Sequence, residues 1–359
     1  PVIVRRMSNT RYAALHAQFD AITLSQLRAQ RGMKWSAHPD RIGAFVAEMD
    51  FGTAPAVTQA VQYAVARGRL GYPAMPLFAE LGVATSAWLQ SRNHWTVTPE
   101  AVRAVPDVIK ALEVMMRFHI PAQSHVIVLT PCYMPFVPLI EQLGHTPVQV
   151  ALLDNASVGS TLDYAGIEAA LAQAPAGQRA ILLCNPQNPV GRVYTRDELL
   201  RIAELAERYA ARVFADEIHA PLVYTGQTHI PYASISEVAA QHSITTVSAS
   251  KAFNLAGLKC AQIIFTNADD LHIWQKLGHL LTSNSVSPLG IIATIAAYRD
   301  GGDWFEGVLA YLQDNRDLLT HFLAETLPQI GYSPAQGTYL AWLDCSALGL
   351  GKPLGAWFS

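Results

Sequence analysis

Six short apolar runs restrict the fold of this chain more than any other feature: His125–Thr130, Val148–Leu152, Arg179–Cys184, Arg212–Ala215, Ile244–Val247 and Ala261–Phe265. Each ends in a polar or Gly/Pro loop, and between them apolar residues recur with helical periodicity. Strands alternating with helices describe an α/β architecture, a mostly parallel sheet covered by helices on both faces. The clearest helix is predicted from Thr195 to about Ala211, where Leu199, Ile202, Ala203, Ala206, Tyr209 and Ala210 share a face. Thr195 followed three residues later by Glu198 is a capping-box signature that sets its start. A second helix is expected from about Asp107 to His119, closed by Pro121, and its N-terminus is suited to a phosphate. After Pro288 the pattern changes to long helices, including Trp304–Thr326, and then a strand, Thr338–Leu343. The expected division is therefore an N-terminal arm with part of a small domain over 1–45, a large domain over 46–287, and a smaller α+β domain over 288–359. Within residues 1–45, Arg28 to His38 is polar enough to be an arm or loop.

The chemistry concentrates where strands end. Asp216 terminates the run Arg212–Ala215, and Lys251 follows Ile244–Val247 in the small-residue stretch Ser248-Ala249-Ser250-Lys251. In a parallel sheet both belong at the carboxyl edge, where α/β proteins bind ligands. A lysine among small residues has room for a bulky planar group and can form a Schiff base with an aldehyde. A buried carboxylate there costs several kcal/mol unless a cation meets it, at the order of magnitude of buried-charge penalties, and a pyridinium nitrogen would serve. Together the two describe a pyridoxal phosphate site. Asn185-Pro186-Gln187-Asn188-Pro189-Val190-Gly191 leaves Arg179–Cys184 at the same edge, and its two X-Pro steps make a stiff loop able to aim an amide.

Other chemistries fit less well. Ser248-Ala249-Ser250-Lys251 also matches the S-x-x-K nucleophile motif, but no K-T-G follows. Asp216, Glu217 and His219 lack metal-ligand spacing, since adjacent acids on a strand face opposite ways. The glycines of 349–355 do not fit a dinucleotide loop. Cys132, Cys184, Cys260 and Cys345 are scattered, as buried thiols in a reducing cytoplasm would be.

With 51% hydrophobic and 15% charged residues much of the chain is buried, and a net charge of −3 without a basic run argues against nucleic acid or an anionic membrane as partner. The uncharged stretch Leu277 to Tyr298 is long enough to span a bilayer, yet His279, Asn284 and Pro288 mark it as a loop entering a helix near Ser287-Pro288. No signal-peptide pattern opens the chain, so a cytoplasmic protein with a small-molecule ligand is expected, and a start at Pro1 suggests a trimmed N-terminus.

Taken together, Asn185–Gly191, Asp216–His219 and Ser248–Lys259 resemble the fold-type I aminotransferase superfamily in its class I/II branch. The stretches Val46–Phe51, Gly71-Tyr72-Pro73, Pro186–Pro189, Asp216–His219 and Thr338–Asp344 resemble more closely the cystathionine β-lyases of MalY/PatB type, which are carbon–sulfur lyases. The resemblance implies a pyridoxal-phosphate-dependent transferase-like fold and specific roles. Lys251 would hold the cofactor as an imine, Asp216 would pair with its ring nitrogen, Asn188 and His219 would contact its ring hydroxyl, and Tyr133 would stack on the ring. Ser248, Ser250, Lys259 and the backbone amides of Val108 and Ile109 would bind the phosphate. Tyr72 would reach the phosphate of the neighbouring subunit, a role that implies a homodimer.

Two departures stand out against that pattern. Lys259 occupies a position where an arginine is common, replacing a two-pronged donor by a point charge. The Arg-Leu-Asn motif whose arginine clamps the substrate carboxylate does not occur, so either the chain stops short of the complete small domain, the favoured expectation, or the protein grips its substrate differently. The implied reaction is β-elimination on cystathionine or another cysteine S-conjugate, with the freed Lys251 amine as general base and a thiol, pyruvate and ammonia as products. Aminotransfer on the same scaffold is the nearest alternative, and a cofactor-holding regulatory protein a more distant one.

Overall fold

The structure is a computed structural model that describes residues 10–155, 159–278, 282 and 285–351. Seven strands build its central sheet: β1 (Val102–Val105), β2 (His125–Thr130), β3 (Thr146–Ala151), β4 (Arg179–Cys184), β5 (Arg212–Asp216), β6 (Ser243–Val247) and β7 (Ala261–Phe265), in the spatial order β1-β7-β6-β5-β4-β2-β3. The pairs β2–β3, β2–β4, β4–β5 and β5–β6 are parallel, whereas β7 runs antiparallel to both neighbours. Six of these strands correspond to the predicted runs. β1 escapes the pattern because Val-Arg-Ala-Val is too short and too mixed to read as apolar.

Alternation along the strands shows why both faces are covered. In β2, Val126 and Val128 join the core beneath the helix Val108–His119, while Ile127 and Leu129 join the opposite core with Leu199 and Ile202 of the helix Arg196–Arg208. β4 and β5 follow the same rule, with Leu182 and Phe214 on the first face and Leu183 and Val213 on the second. Strands buried on both sides cannot alternate polar with apolar, which is the reason they read as continuous apolar runs.

Local chemistry sets the helix ends. Thr195 caps Arg196–Arg208 with the expected reciprocal bonds to Glu198, and Ala210 at φ 49° stops the helix short of the predicted Ala211. Ser287 caps Pro288–Asp300, accepting from the Gly290 N–H at 3.2 Å, so the uncharged stretch does enter a helix there; residues 279–281 and 283–284 of it lie outside the described residues. No helix among the described residues is long and apolar enough to cross a membrane.

A third core lies beside the sheet, where Pro288–Asp300 and Gly302–Thr326 pack with Pro55–Ala66 and Met75–Asn93. Trp88 stacks on Tyr298 at 5.0 Å, and Phe253, two residues past Lys251, fills the gap between them and Phe305. The N-terminal helix Ala13–Asp20 joins this core: His16 Nε2 lies 2.9 Å from the Gly307 carbonyl, and Phe19 stacks on Phe51 at 4.6 Å.

Two expectations need correction. The polar arm contains the short helices Leu24–Ala29 and Met33–Ser36, the first begun by a Thr23–Gln26 capping box. Thr338–Leu343 is not a strand; pairing is limited to Leu343–Asp344 against Gly331–Tyr332 and a single bridge between Val223 and Gly337. Thr338 sits at φ 67° and its hydroxyl accepts from the Leu340 N–H at 3.1 Å, a turn that an extended chain cannot contain.

Candidate active site at the carboxyl edge of the sheet

The register Cys184↔Asp216↔Thr246 places three side chains in a row at the carboxyl ends of β4, β5 and β6. Asp216 shares the parity of Phe214 and so points to the face covered by Val108–His119. It is 4% exposed, accepts from the Ile218 N–H at 3.2 Å, and forms no ion pair at contact distance among the described residues. Burial pushes its carboxyl up to about 7, against the smaller opposing pull of the Ile218 N–H. Glu217 turns elsewhere, bound by the Tyr232 N–H at 2.7 Å and by His229 at 3.1 Å.

β6 leads directly into the turn carrying Lys251. Its amine donates to the Ala47 carbonyl at 3.1 Å. Burial lowers its pKa, while Glu48 and Asp216 oppose that shift. His219 is buried, and its Nδ1 has no hydrogen-bond partner. Burial first and the Lys251 charge second push that imidazole down to about 3, so it is neutral at pH 7. Tyr133 follows β2 at the same edge, packed edge-on against Phe136 at 5.5 Å; burial and the nearby Asp216 raise its phenol pKa. Asn188 lies half-buried in the loop leaving β4, a loop braced by Gln187 Nε2 donating to the Pro131 carbonyl at 3.0 Å.

The expected phosphate ligands are brought near one another with different degrees of freedom. Val108 and Ile109 open the helix capped by Asp107, whose carboxylate accepts from the Lys110 N–H at 2.8 Å and from Lys259 Nζ at 3.0 Å. A phosphate arriving there would have to share Lys259 with Asp107. The Ser248 hydroxyl is buried, donating to the Cys260 carbonyl at 3.0 Å and accepting from the Ser250 N–H at 3.0 Å, so it shapes the lysine turn. Tyr72 stands apart from the rest. It is 88% exposed, beside Val286, Ser287 and Pro288, and does not meet the other candidates within this chain.

Sequence reasoning missed the segment that closes over Lys251. Asn254 grips Met49 twice, accepting from its N–H at 3.1 Å and donating to its carbonyl at 2.9 Å. Asn254 takes φ 58°, a region asparagine tolerates better than most residues. Tyr339 donates to the Ala47 carbonyl at 2.8 Å. Both the Val46–Phe51 and Thr338–Asp344 stretches were visible as motifs, but nothing in their pattern reveals that they meet.

These residues fit pyridoxal phosphate. They offer an amine for its aldehyde, a buried carboxylate without an ion-pair partner at contact distance, and an imidazole nitrogen without a hydrogen-bond partner, the last two close enough to the amine to feel its charge. The family model for aminotransferase class I and II matches residues 45–354. The chain is 38% identical to a cystathionine beta-lyase of Corynebacterium glutamicum over 89% of its own length and 83% of the relative's. It is 32% identical to the cystathionine beta-lyase PatB of Bacillus subtilis over 87% and 79%. The crystal structure of cystalysin from Treponema denticola, which contains a pyridoxal 5'-phosphate cofactor, superposes with a TM-score of 0.83 at 27% identity, covering 90% of this chain and 83% of that one. The architecture is thus the pyridoxal-phosphate-dependent transferase-like fold. The chain belongs to the aminotransferase class I and II family.

Proposed function

We propose that this protein is a pyridoxal-phosphate-dependent carbon–sulfur lyase that cleaves cystathionine or related cysteine S-conjugates to a thiol, pyruvate and ammonia. The observation that carries the reading is the placement of the Lys251 amine and the cation-less Asp216 carboxylate in one buried site. The names of the C. glutamicum and B. subtilis relatives support this reaction over aminotransfer.

When bound, the cofactor would supply an electron sink for the charge left at the substrate Cα when its proton is removed, the electron pair that then expels the thiolate from Cβ. Lys251 would anchor its aldehyde and, with its amine free, would take the Cα proton. Asp216 holds a proton on the ring nitrogen through a charge-assisted bond, worth about 1.5–3 kcal/mol. Neutral His219 and Asn188 address the ring hydroxyl, and Tyr133 covers the ring. Lys259, Ser250 and the Val108 and Ile109 N–H groups hold the phosphate at a helix N-terminus, with the Ser248 hydroxyl supporting the turn.

We assign residues 46–287 to the cofactor-binding unit and 1–45 with 288–359 to the smaller one; the packing of Ala13–Asp20 on Gly302–Thr326 supports the pairing of the two ends, whereas Pro288–Asp300 packs on Pro55–Ala66 and Met75–Asn93 and so shares a core with the larger unit. The exposure of Tyr72 together with Leu70 and Met75 supports a homodimer in which Tyr72 of one copy completes the site of the other. A cytoplasmic location accords with the four unpaired thiols. The test is pyruvate release from cystathionine with no keto acid added. Pyruvate forming at a steady rate supports the lyase, whereas turnover that requires a keto acid acceptor replaces it with an aminotransferase.

A further inference from the structure

We propose that Tyr339 is a positioning residue for the active-site amine: its hydroxyl aims the carbonyl oxygen of Ala47, and that oxygen holds the ε-amine of Lys251 whenever the amine is not covalently engaged. The inference deepens the lyase reading and takes its catalytic meaning from it.

Two donors converge on one oxygen. Lys251 Nζ lies 3.1 Å and the Tyr339 hydroxyl 2.8 Å from the Ala47 carbonyl. A peptide oxygen has two lone pairs, so the pair of donors saturates it. The donors come from distant parts of the chain, one after β6 and the other from the turn that begins at Thr338. Ala47 itself belongs to no helix or strand. The path of its segment is held by the Glu48 N–H on the Val46 carbonyl at 2.8 Å, by Lys34 on the Glu48 carbonyl at 2.9 Å and by the double grip of Asn254 on Met49. Those bonds fix the chain around Ala47, and the Tyr339 hydroxyl addresses its oxygen directly.

Tyr339 is built for the task. Thr338 at φ 67°, with its N–H on the Leu222 carbonyl at 2.7 Å, turns the chain so that the next ring enters the site. That ring meets His219 edge-on at 6.3 Å. Burial, with Glu48 adding to it, raises the phenol pKa, so the hydroxyl stays a donor through the working pH range. The break in the expected strand at Thr338 thereby acquires a purpose: an extended chain would carry residue 339 past the carbonyl.

Tyr339→Phe keeps the ring against His219 and removes the donor. The freed carbonyl then shares its time with other orientations, the ammonium of Lys251 loses part of its acceptor, and the amine becomes easier to deprotonate. The experiment reads the pH dependence of the rate at which cofactor-free protein captures pyridoxal phosphate, trapped with borohydride. The midpoint should fall by about half to one pH unit relative to wild type, a fraction of what a hydrogen bond to a charged group is worth. In the loaded enzyme kcat should fall about tenfold with KM nearly constant, since the amine's position matters to proton transfer more than to binding. A midpoint unchanged or raised overturns the assignment. Should Tyr339→Phe fail to fold, Asn254→Ala frees the same segment through Met49 and must shift the midpoint in the same direction; an unshifted midpoint there overturns it equally. The capture measurement needs no substrate. A wild-type protein that releases no pyruvate from cystathionine sinks the lyase reading and leaves this test intact, whereas an unshifted midpoint beside normal pyruvate release sinks this inference alone.

Discussion

Asp216→Asn should stabilise the cofactor-free protein, and do so more strongly as pH rises. The carboxyl is held at about 7 in the folded chain against 3.8 for an unperturbed aspartate, with burial the leading cause. Below about pH 4 both states are protonated and the residue contributes no pH dependence. Between there and about 7 the folded state keeps a proton that the unfolded state has lost, so stability falls as pH rises. At about 1.4 kcal/mol per pH unit, the cost reaches roughly 1–2 kcal/mol at pH 5 and levels off near 4 kcal/mol by pH 8. Asparagine has the same shape and no charge to desolvate. The variant's advantage in thermal midpoint should therefore grow by several degrees between pH 5 and pH 8, at roughly two degrees per kcal/mol for a chain of this size. Loading pyridoxal phosphate should cancel the advantage at pH 8, because the wild-type carboxylate then has its cation. An advantage of equal size at both pH values, or a variant less stable than wild type at pH 8 without cofactor, would refute the argument that Asp216 is a buried charge awaiting a cation.

Two further outcomes test the assignments around it. Lys251→Ala should leave no borohydride-reducible cofactor attached to the protein, and peptide mapping that finds the label on another lysine removes Lys251 from its role. If Tyr72 serves the neighbouring copy, Tyr72→Ala and Lys251→Ala proteins, each nearly inactive, should regain roughly a quarter of wild-type activity when subunits are mixed in equal amounts, because half the dimers then carry one intact site. Mixed subunits that stay inactive place Tyr72 outside the partner's site.

The sheet was legible because its central strands are buried on both faces, so that the interiors of β2 (Val126–Leu129) and β4 (Ala180–Cys184) are unbroken apolar runs, while β6 and β7 remain readable despite the buried Ser243, Thr245, Thr246 and Gln262. β1 has no such requirement: Arg103 is half-buried at the sheet's edge, and a four-residue segment carries too little pattern to be seen. Thr338–Leu343 misled for the opposite reason. Its composition suits a strand, but a positive φ at a β-branched residue is imposed by tertiary contacts, here the Leu222 carbonyl, and local propensity does not foresee it. The same limit separates the site residues that could be read from those that could not. Lys251 and Asp216 declare themselves by charge at the ends of apolar strands, whereas the contact of Tyr339 with Ala47 joins a side chain to a backbone oxygen 292 residues away and leaves no periodic trace.

Register is the link between fold and chemistry. Cys184, Asp216 and Thr246 are neighbours because β4, β5 and β6 pair in parallel with those residues aligned, and each points to the side of Phe214 because side chains alternate along a strand. A slip of β5 by one residue would send Asp216 toward the core of Leu199 and Ile202 and bring Glu217 to its place. It would also strand Phe214 on the wrong face, along with every other side chain of that strand. The apolar residues that exclude this slip are thus as much a part of the site as the carboxylate. Phe214 and Val213 are both fully buried, and at about 1.5–3 kcal/mol for each such side chain their burial together is comparable to the cost of holding Asp216 charged. The packing of β5 can therefore keep a costly acid in position until its cation arrives.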